Sequence, residues 1–221
     1  QPFRVFQPRQ SDLLYDIGHF GDCFYIQTNA DGAQNFKIMK TPVAKTGKEH
    51  WEEVIAHRPD VLIESFSLFN HYFVIEERHN GLVNIRIKRW DDDTDYYIDF
   101  GEPAYTAEVG ANPNFDALTL RYSYTSMTTP ASVYAFDMLT RQRILLKQQE
   151  VVGGYRCEDY VTERLLAPSH DGTMVPISIV YKKGLVRNGK NPLVLYGYGS
   201  YGSSMDAYFS SARLSLLKRG F

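Results

Sequence analysis

The sequence has few cysteines, which limits how the chain could be cross-linked or bind metal. Cys23 and Cys157 are the two cysteines in 221 residues, and they stand far apart without a metal-ligand spacing between them. A small disulfide-rich domain and a multi-cysteine zinc site are therefore excluded. We expect two free or buried thiols rather than a disulfide, and no metal or other cofactor.

Long apolar runs and a strong net charge are also absent. No apolar run reaches the roughly 18 residues of a transmembrane helix, and the first residues, Gln1-Pro-Phe-Arg4, show no signal-peptide pattern. The 24 basic and 26 acidic residues leave a net charge of −2, which provides little attraction for nucleic acid or an anionic membrane. We expect a cytoplasmic protein, with a periplasmic location left open. Because the chain lacks an initiator Met, we also expect a piece of a longer protein.

Aromatic residues are abundant, and they favour β structure. They make up 14% of the chain, with 16 Tyr and 13 Phe. Short runs rich in aromatic and β-branched residues recur three times, with Asn-Ala-Asp-Gly at 29–32 and His-Asn-Gly at 79–81 as hairpin turns. The predicted strands are residues 13–17, 23–28 and 35–41, then 62–68, 72–78 and 83–90, then 104–109, 117–123, 133–137 and 143–147.

The spacing of these units favours a β-propeller. The turn glycines Gly32 and Gly81 are separated by about one propeller-blade length, roughly 40–50 residues. A single β-sandwich is the alternative, because it also uses short strands with regular turns. We predict three blades within residues 1–155. Since a closed ring needs about four to eight blades, a partner segment is expected elsewhere, and exposed blade edges could mediate self-association.

After Gly154 the pattern changes. Residues 163–167 and 175–181 predict an antiparallel hairpin, 192–196 a buried strand, and 210–218 a short amphipathic helix with Leu214 and Leu217 facing inward. This order is typical of the opening of an α/β-hydrolase domain. The predicted fold class is therefore mixed: all-β propeller blades in residues 1–155, followed by the start of an α/β-hydrolase domain in residues 156–221.

The turn at residues 193–202, LVLYGYGSYG, is the main candidate for chemistry. Ser200 does not fit a nucleophile elbow, because Gly-x-Ser-x-Gly requires glycine where Tyr198 stands, and no His follows Ser200. The loop has the position from which α/β-hydrolases build part of the oxyanion hole. A Tyr hydroxyl could serve there as a donor, or the tyrosines could simply pack on a glycine-rich turn; the residues alone leave both open.

Three other polar groups have plainer interpretations. The His170-Asp-Gly172 group is expected to form a hairpin turn rather than an acid–base pair. The acidic run 91–95 lacks the glycine and glutamate of an EF-hand, so we predict a solvated blade-connecting loop. Arg156, Glu158 and Asp159 are expected to be linker residues.

Three stretches resemble one family. They are YSYTSMTTP at 122–130, VPISIVY at 175–181, and GKNPLVLYGYGSYG at 189–202 followed by residues 209–221. The chain resembles the prolyl oligopeptidase family of serine peptidases, and within it the oligopeptidase B branch. The resemblance implies a closed propeller of about seven blades capping an α/β-hydrolase domain. It also implies cleavage of short basic peptides after Arg or Lys, through an acyl-enzyme and without a cofactor.

The resemblance also implies roles for individual residues. Tyr198 matches the tyrosine whose hydroxyl completes the oxyanion hole, and Tyr201 matches an aromatic residue of the substrate cleft. Asp206 matches an acid that binds a second basic substrate residue. Tyr208 stands where a further acid is often found, so a preference for paired basic residues stays open. The family's catalytic Ser, Asp and His would lie beyond Phe221, and the chain alone is expected to be inactive.

Two other functions remain open at this stage. A non-catalytic propeller module would bind a protein partner through its blade loops. A prolyl-specific or acylaminoacyl peptidase would share the fold and differ in its substrate pocket. The sequence beyond Phe221 would separate them, because only a peptidase needs an intact Gly-x-Ser-x-Gly followed by Asp and His.

Overall fold

Three four-stranded antiparallel sheets follow one another in the computed structural model, which describes residues 3–221. In each sheet the strands pair with their sequence neighbours, and no strand crosses to a second sheet. This arrangement is that of propeller blades and not of a sandwich, so the propeller prediction is confirmed. The first blade is β1 (Tyr15–Phe20), β2 (Cys23–Thr28), β3 (Lys37–Pro42) and β4 (Glu52–Ile55); the second is β5 (Val61–Leu68), β6 (Tyr72–His79), β7 (Leu82–Arg89) and β8 (Asp95–Tyr97); the third is β9 (Tyr105–Val109), β10 (Thr119–Ser126), β11 (Ser132–Asp137) and β12 (Arg143–Gln148).

The last strands of the first two blades, β4 and β8, were not predicted. They are short, with the sequences EEVI and DYY, and each lies at a sheet edge with one neighbouring strand. Runs of four and three residues are too short to show the apolar alternation that identifies a strand. Residues 91–94 form a loop, as predicted, but it connects β7 to β8 within the second blade rather than one blade to the next, and Asp95 begins β8.

One compact unit contains the first two blades, within residues 3–80, 84–98 and 113–118. Its core joins the two sheets, with Ile38 of β3 packed among Ile63, Phe73 and Ile75. The Phe73 side chain is fully buried and stacks on Trp90 with ring centroids 5.2 Å apart. Phe73 and Ile75 are two positions apart on β6 and so face this core from the same side of the strand.

A charge network at the outer strands of the second blade surrounds the buried Glu77. Its side chain is 1% exposed and accepts hydrogen bonds from Arg58, Arg86 and Tyr97. Arg86 also binds Asp95 through two nitrogens, at 2.7 and 2.6 Å. Burial of Asp95 acts to raise its pKa, but hydrogen bonds from Arg86 and Lys88 and their charges outweigh it and lower the pKa to about 2.

Asp95→Asn should therefore destabilise the protein in a pH-dependent way. The carboxylate has a lower pKa in the folded state than the unfolded value of 3.8, so its stabilisation is present above pH 4 and is lost as pH falls towards 2. After allowance for solvent screening we expect about 1 kcal/mol near pH 6. The measurement is the difference in thermal stability between wild type and variant at pH 6 and pH 3, with the exposed neighbour Asp93→Asn as control. A difference that does not shrink at pH 3 would contradict this assignment.

The second compact unit contains the third blade and the residues that follow it. Aromatic rings fill the blade: Phe100 lies 4.7 Å from Tyr105 and 5.4 Å from Tyr124, centroid to centroid. Burial and the nearby Asp99 raise the pKa of Tyr105 to about 12, which keeps its hydroxyl protonated. The outer strand β12 has six exposed residues, and self-association through such edges stays a prediction.

The hairpin and helix predicted after the blades are confirmed. β13 (Tyr160–Pro168) pairs with β14 (Met174–Lys182) across the turn at residues 169–172. Helix α1 (Ser211–Leu217) buries Leu214 and Leu217 against Phe209. Gly220 takes a φ of +89° just past the helix, a left-handed conformation that glycine adopts without steric cost.

Residues 192–196 do not form the predicted buried strand within the described residues, 3–221. These residues form neither strand nor helix, and the side chains of Leu193, Leu195 and Tyr196 are 71%, 81% and 71% exposed. A strand is stabilised by hydrogen bonds to a neighbour, and none of the described strands pairs with this run. Residues 150–221 as described therefore contain a hairpin and a short helix, without an α/β sheet.

The cysteines, the helices and the possible metal ligands can also be compared with the expectations from the sequence. Both Cys23 and Cys157 are free, as predicted. Across residues 3–221, no helix is both long enough and apolar enough to cross a membrane. The same residues hold no group of three or more His, Cys, Asp or Glu side chains that could bind a metal ion.

Candidate functional site

The Tyr/Gly turn, residues 197–202, presents two tyrosines to solvent. A single 3-10 turn spans Ser200–Gly202 and is closed by the hydrogen bond from Ser203 N to the Ser200 carbonyl at 3.1 Å. Tyr198 is 51% exposed and Tyr201 is 98% exposed. Both phenols are thus accessible to a molecule that approaches the turn.

Tyr201 has an unusual backbone conformation. Its φ is +58°, in the left-handed region that costs a non-glycine residue about 1–2 kcal/mol. The side chain is almost fully exposed, so little packing within the described residues offsets this cost. Such conformations concentrate at functional sites, and this one supports a role for Tyr201 outside the packing of the chain itself.

The docked segment, residues 206–209, lies against the third blade. Ala207 and Phe209 are buried, at 4% and 8% exposed. The Ala207 carbonyl accepts a hydrogen bond of 2.8 Å from the Thr106 hydroxyl, and the Phe209 N–H donates one of 3.0 Å to Thr125 Oγ1. Thr106 and Thr125 are cross-strand partners on β9 and β10, so one pair of facing threonines binds both ends of the segment.

Tyr155 holds the docked segment from the other side. Its ring meets Phe209 edge-on at 5.0 Å and stacks on Tyr160 at 5.5 Å. Its hydroxyl donates to the Thr128 carbonyl. Burial raises the pKa of Tyr155, with smaller contributions from nearby acidic groups, so the hydroxyl stays a donor. Phe209 is thereby fixed by packing as well as by its backbone hydrogen bond.

The hydroxyl-rich stretch at 122–130 is organised by one carboxylate, Glu102. Burial, followed by the charge of Glu102, raises the pKa of Tyr124, which keeps that hydroxyl protonated as a donor. The turn that follows β10 is thus held in one arrangement. The four hydroxyl donors to Glu102 are Tyr124 at 2.8 Å, Ser126 at 2.6 Å, Thr128 at 3.0 Å and Thr129 at 2.6 Å.

Asp206 is half-buried at the start of the docked segment. Two positions later, Tyr208 is 45% exposed, and the Arg213 guanidinium lies 5.2 Å from the centre of its ring. Arg213 also donates to the Tyr208 carbonyl at 2.8 Å. The position where a second acid could stand is therefore occupied by an aromatic ring that contacts a cation.

The three site residues predicted from the sequence lie on one segment, residues 198–206. Tyr198 and Tyr201 are on the exposed turn, and Asp206 adjoins the docked residues. Glu102, Tyr155 and the threonine pair were not predicted. The stretch at 122–130 contained a signal, since five of its nine residues are Ser or Thr and two more are Tyr, but its partners are distant in sequence.

Comparison with known proteins identifies the family of the chain. The model described as "Prolyl oligopeptidase, N-terminal beta-propeller domain" matches residues 1–149. The chain belongs to the prolyl oligopeptidase family. It is 47% identical over 219 residues to "Dipeptidyl aminopeptidase BI" from Pseudoxanthomonas mexicana, and 32% identical over 219 residues to "Protease 2" from Moraxella lacunata. Each match covers 99% of this chain, against 30% and 31% of the relative.

A solved structure of the family shows the same architecture. Oligopeptidase B from Trypanosoma brucei, with covalently bound antipain in a closed form, has a TM-score of 0.87 and 34% identity. The match covers 96% of this chain and 31% of that one. The chain thus spans about three-tenths of the length of these relatives, and each match covers more of it than the blades at residues 1–149.

Proposed function

We propose that this chain is part of a serine peptidase that cleaves short peptides after Arg or Lys. The observation that carries the proposal is that the likeness to oligopeptidase B extends over 96% of the chain, beyond the blades that match at residues 1–149. Residues 1–155 would then contribute three blades of the propeller, and residues 156–221 would open an α/β-hydrolase domain.

In this proposal, residues 192–196 become a strand of that domain. The run Leu193-Val-Leu-Tyr196 is apolar but exposed, which suits a buried parallel strand whose neighbours belong to the rest of the protein. The strand would end at the Tyr/Gly turn. In α/β sheets the carboxyl ends of the strands are where ligands bind, so the turn would border the active site.

Tyr198 would act on the oxyanion. A serine outside residues 1–221, activated by a histidine, attacks the peptide carbonyl and forms a tetrahedral intermediate. The Tyr198 hydroxyl and a backbone N–H would donate to the developing negative oxygen. A donor aimed at that position stabilises the transition state more than the substrate, and the 51% exposure of Tyr198 leaves it accessible for this role.

Asp206 and Tyr201 would contact the substrate. The Asp206 carboxylate offers an ionic partner to a basic residue next to the cleaved one, and the exposed ring of Tyr201 offers a face for a side chain. Because Tyr208 and Arg213 occupy the neighbouring position, we propose one acidic contact at this site rather than two.

The experiment compares the full-length protein with residues 1–221 alone. The full-length protein should release nitroaniline from an Arg-nitroanilide peptide and lose this activity on treatment with a serine-directed fluorophosphonate. Residues 1–221 alone should show no hydrolysis, because no His follows Ser200 in them and a serine nucleophile needs a base. Hydrolysis by residues 1–221 would overturn the assignment of the nucleophile, and an inactive full-length protein would favour a binding module.

A second candidate is an exopeptidase that removes dipeptides. It is favoured by the higher identity, 47%, to a protein named a dipeptidyl aminopeptidase. A free amino terminus is a cation and could pair with the Asp206 carboxylate in place of a basic side chain. Arg-Arg-nitroanilide with a free or an acetylated amino terminus separates the two candidates, since only the exopeptidase should reject the acetylated form.

A further inference from the structure

The facing threonines Thr106 and Thr125 do more than join strands. We propose that they are positioning residues that hold the docked segment, so that Asp206 presents its carboxylate in one place to a cationic substrate group. The inference rests on the substrate-binding role proposed for Asp206. Neither threonine touches the substrate; both act through the backbone of residues 207–209.

The orientation of the Thr125 hydroxyl is determined by its partners. A hydroxyl has one proton, and the nearer acceptor for that of Thr125 is the Thr129 carbonyl at 3.0 Å, compared with 3.4 Å for the Ser126 carbonyl. Its oxygen is then free to accept the hydrogen bond from Phe209 N–H at 3.0 Å. The side-chain hydroxyl of Thr129 donates separately to Glu102 at 2.6 Å, which helps to hold the residue whose carbonyl binds Thr125.

Thr106 also attaches the docked segment to the blade, but as a hydrogen-bond donor. It donates to the Ala207 carbonyl at 2.8 Å, while Thr125 accepts from Phe209. The two bonds engage backbone groups two residues apart, on either side of Tyr208. Ala207 and Phe209 are buried, and a buried backbone group without a partner is costly. With Ala207 and Phe209 buried and hydrogen-bonded in this way, the segment is attached to the blade on either side of Tyr208, and Asp206 is its first residue.

Packing makes the register of the docked segment hard to change. The Phe209 ring lies edge-on to Tyr155 at 5.0 Å and in a cluster with Leu214 and Leu217 of α1. A shift of the segment by one residue would move Phe209 out of this cluster and place Tyr208 there. The hydrogen bonds to the blade and the packing of Phe209 against α1 therefore favour one position for Asp206.

The test uses the full-length protein and two substrates, an Arg-nitroanilide peptide with a basic residue before the Arg and one with a neutral residue there. The readout is the ratio of kcat/KM for the paired-basic substrate to that for the single-basic substrate. Asp206→Asn should lower this ratio about tenfold. Thr125→Val, which removes the hydroxyl and keeps the shape, should lower it about fivefold through KM, with kcat unchanged.

Matched variants separate positioning from general damage. Thr125→Ser keeps the hydroxyl and should restore the ratio, and Thr119→Val, at an exposed threonine on the same strand, should leave it unchanged. In the Asp206→Asn background, Thr125→Val should have no further effect on the ratio. Thr106→Val provides a second variant, through the other hydrogen bond, if Thr125→Val folds poorly.

Hydrogen exchange gives a readout that does not depend on activity. In Thr125→Val, peptides that contain the Phe209 amide should exchange faster than in wild type, while those of β6 should not change. The inference is overturned if Asp206→Asn lowers the ratio and the threonine variants do not, or if exchange at Phe209 is unaffected. A wild-type protein that hydrolyses neither substrate would instead refute the proposed peptidase function, with the exchange result still deciding whether the threonines hold the segment.

Discussion

Tyr198→Phe in the full-length protein should lower kcat by about 10²- to 10³-fold and leave KM nearly unchanged. The substitution removes one hydroxyl and keeps the ring, so it deletes a hydrogen-bond donor without opening a cavity. A donor that acts on the oxyanion is needed most in the transition state, which is why the effect should appear in kcat. Initial rates on the Arg-nitroanilide peptide over a range of concentrations give both constants.

Tyr196→Phe is the matched control for this prediction. Tyr196 lies two positions earlier in the same run and is 71% exposed, but it precedes the turn and has no proposed role in catalysis. Its loss should change kcat less than about threefold. If Tyr198→Phe behaves like Tyr196→Phe, the tyrosine is a packing residue of the turn, and the oxyanion donors must be sought elsewhere in the protein.

Phe73→Ala should destabilise the first two blades by about 3–5 kcal/mol. Phe73 is fully buried, stacks on Trp90 at 5.2 Å, and meets Phe66 edge-on at 5.8 Å and Tyr25 at 5.6 Å. Its removal leaves a cavity among rings that are fixed by their own strands and cannot close around it. The loss in the free energy of unfolding therefore includes the van der Waals contacts of the ring as well as the free energy gained by its transfer out of water.

Native-state hydrogen exchange is the suitable measurement, because unfolding of a multidomain protein is not a single two-state step. The free energy of opening for the amides of β6 should fall by the amount above. Phe115→Ala removes the same ring from a residue that is 44% exposed and should cost less than about 1 kcal/mol. Equal losses for the two variants would show that Phe73 is not part of a cooperative core.

Where local chemistry determines structure, the sequence was sufficient. The strands on either side of Asn80-Gly81 were predicted within a residue or two, because that dipeptide supports the positive φ angles of a tight hairpin, +50° and +74° here. β4 and β8 were missed because runs of four and three residues, EEVI and DYY, are too short to show the alternation that identifies a strand.

Where structure depends on distant partners, the sequence was not sufficient. The run at 192–196 has the composition of a buried strand, but burial requires neighbours, and the described residues provide none. The acidic run at 91–95 resembled a solvated loop, yet Asp95 is paired with Arg86 and Lys88. For both runs the composition was interpreted correctly, but the presence or absence of neighbouring residues from elsewhere in the chain was not predicted.

Residues close together in the chain were enough to predict ten of the twelve blade strands, the hairpin turns, the Tyr/Gly turn and the resemblance to the prolyl oligopeptidases. Only the tertiary structure showed that Thr106 binds Ala207 across 101 positions and that Thr125 binds Phe209. A threonine hydroxyl can serve many partners, and which one it meets is decided by how the third blade packs against the segment. The placement of Asp206 is a property of that packing and not of the residues around Asp206.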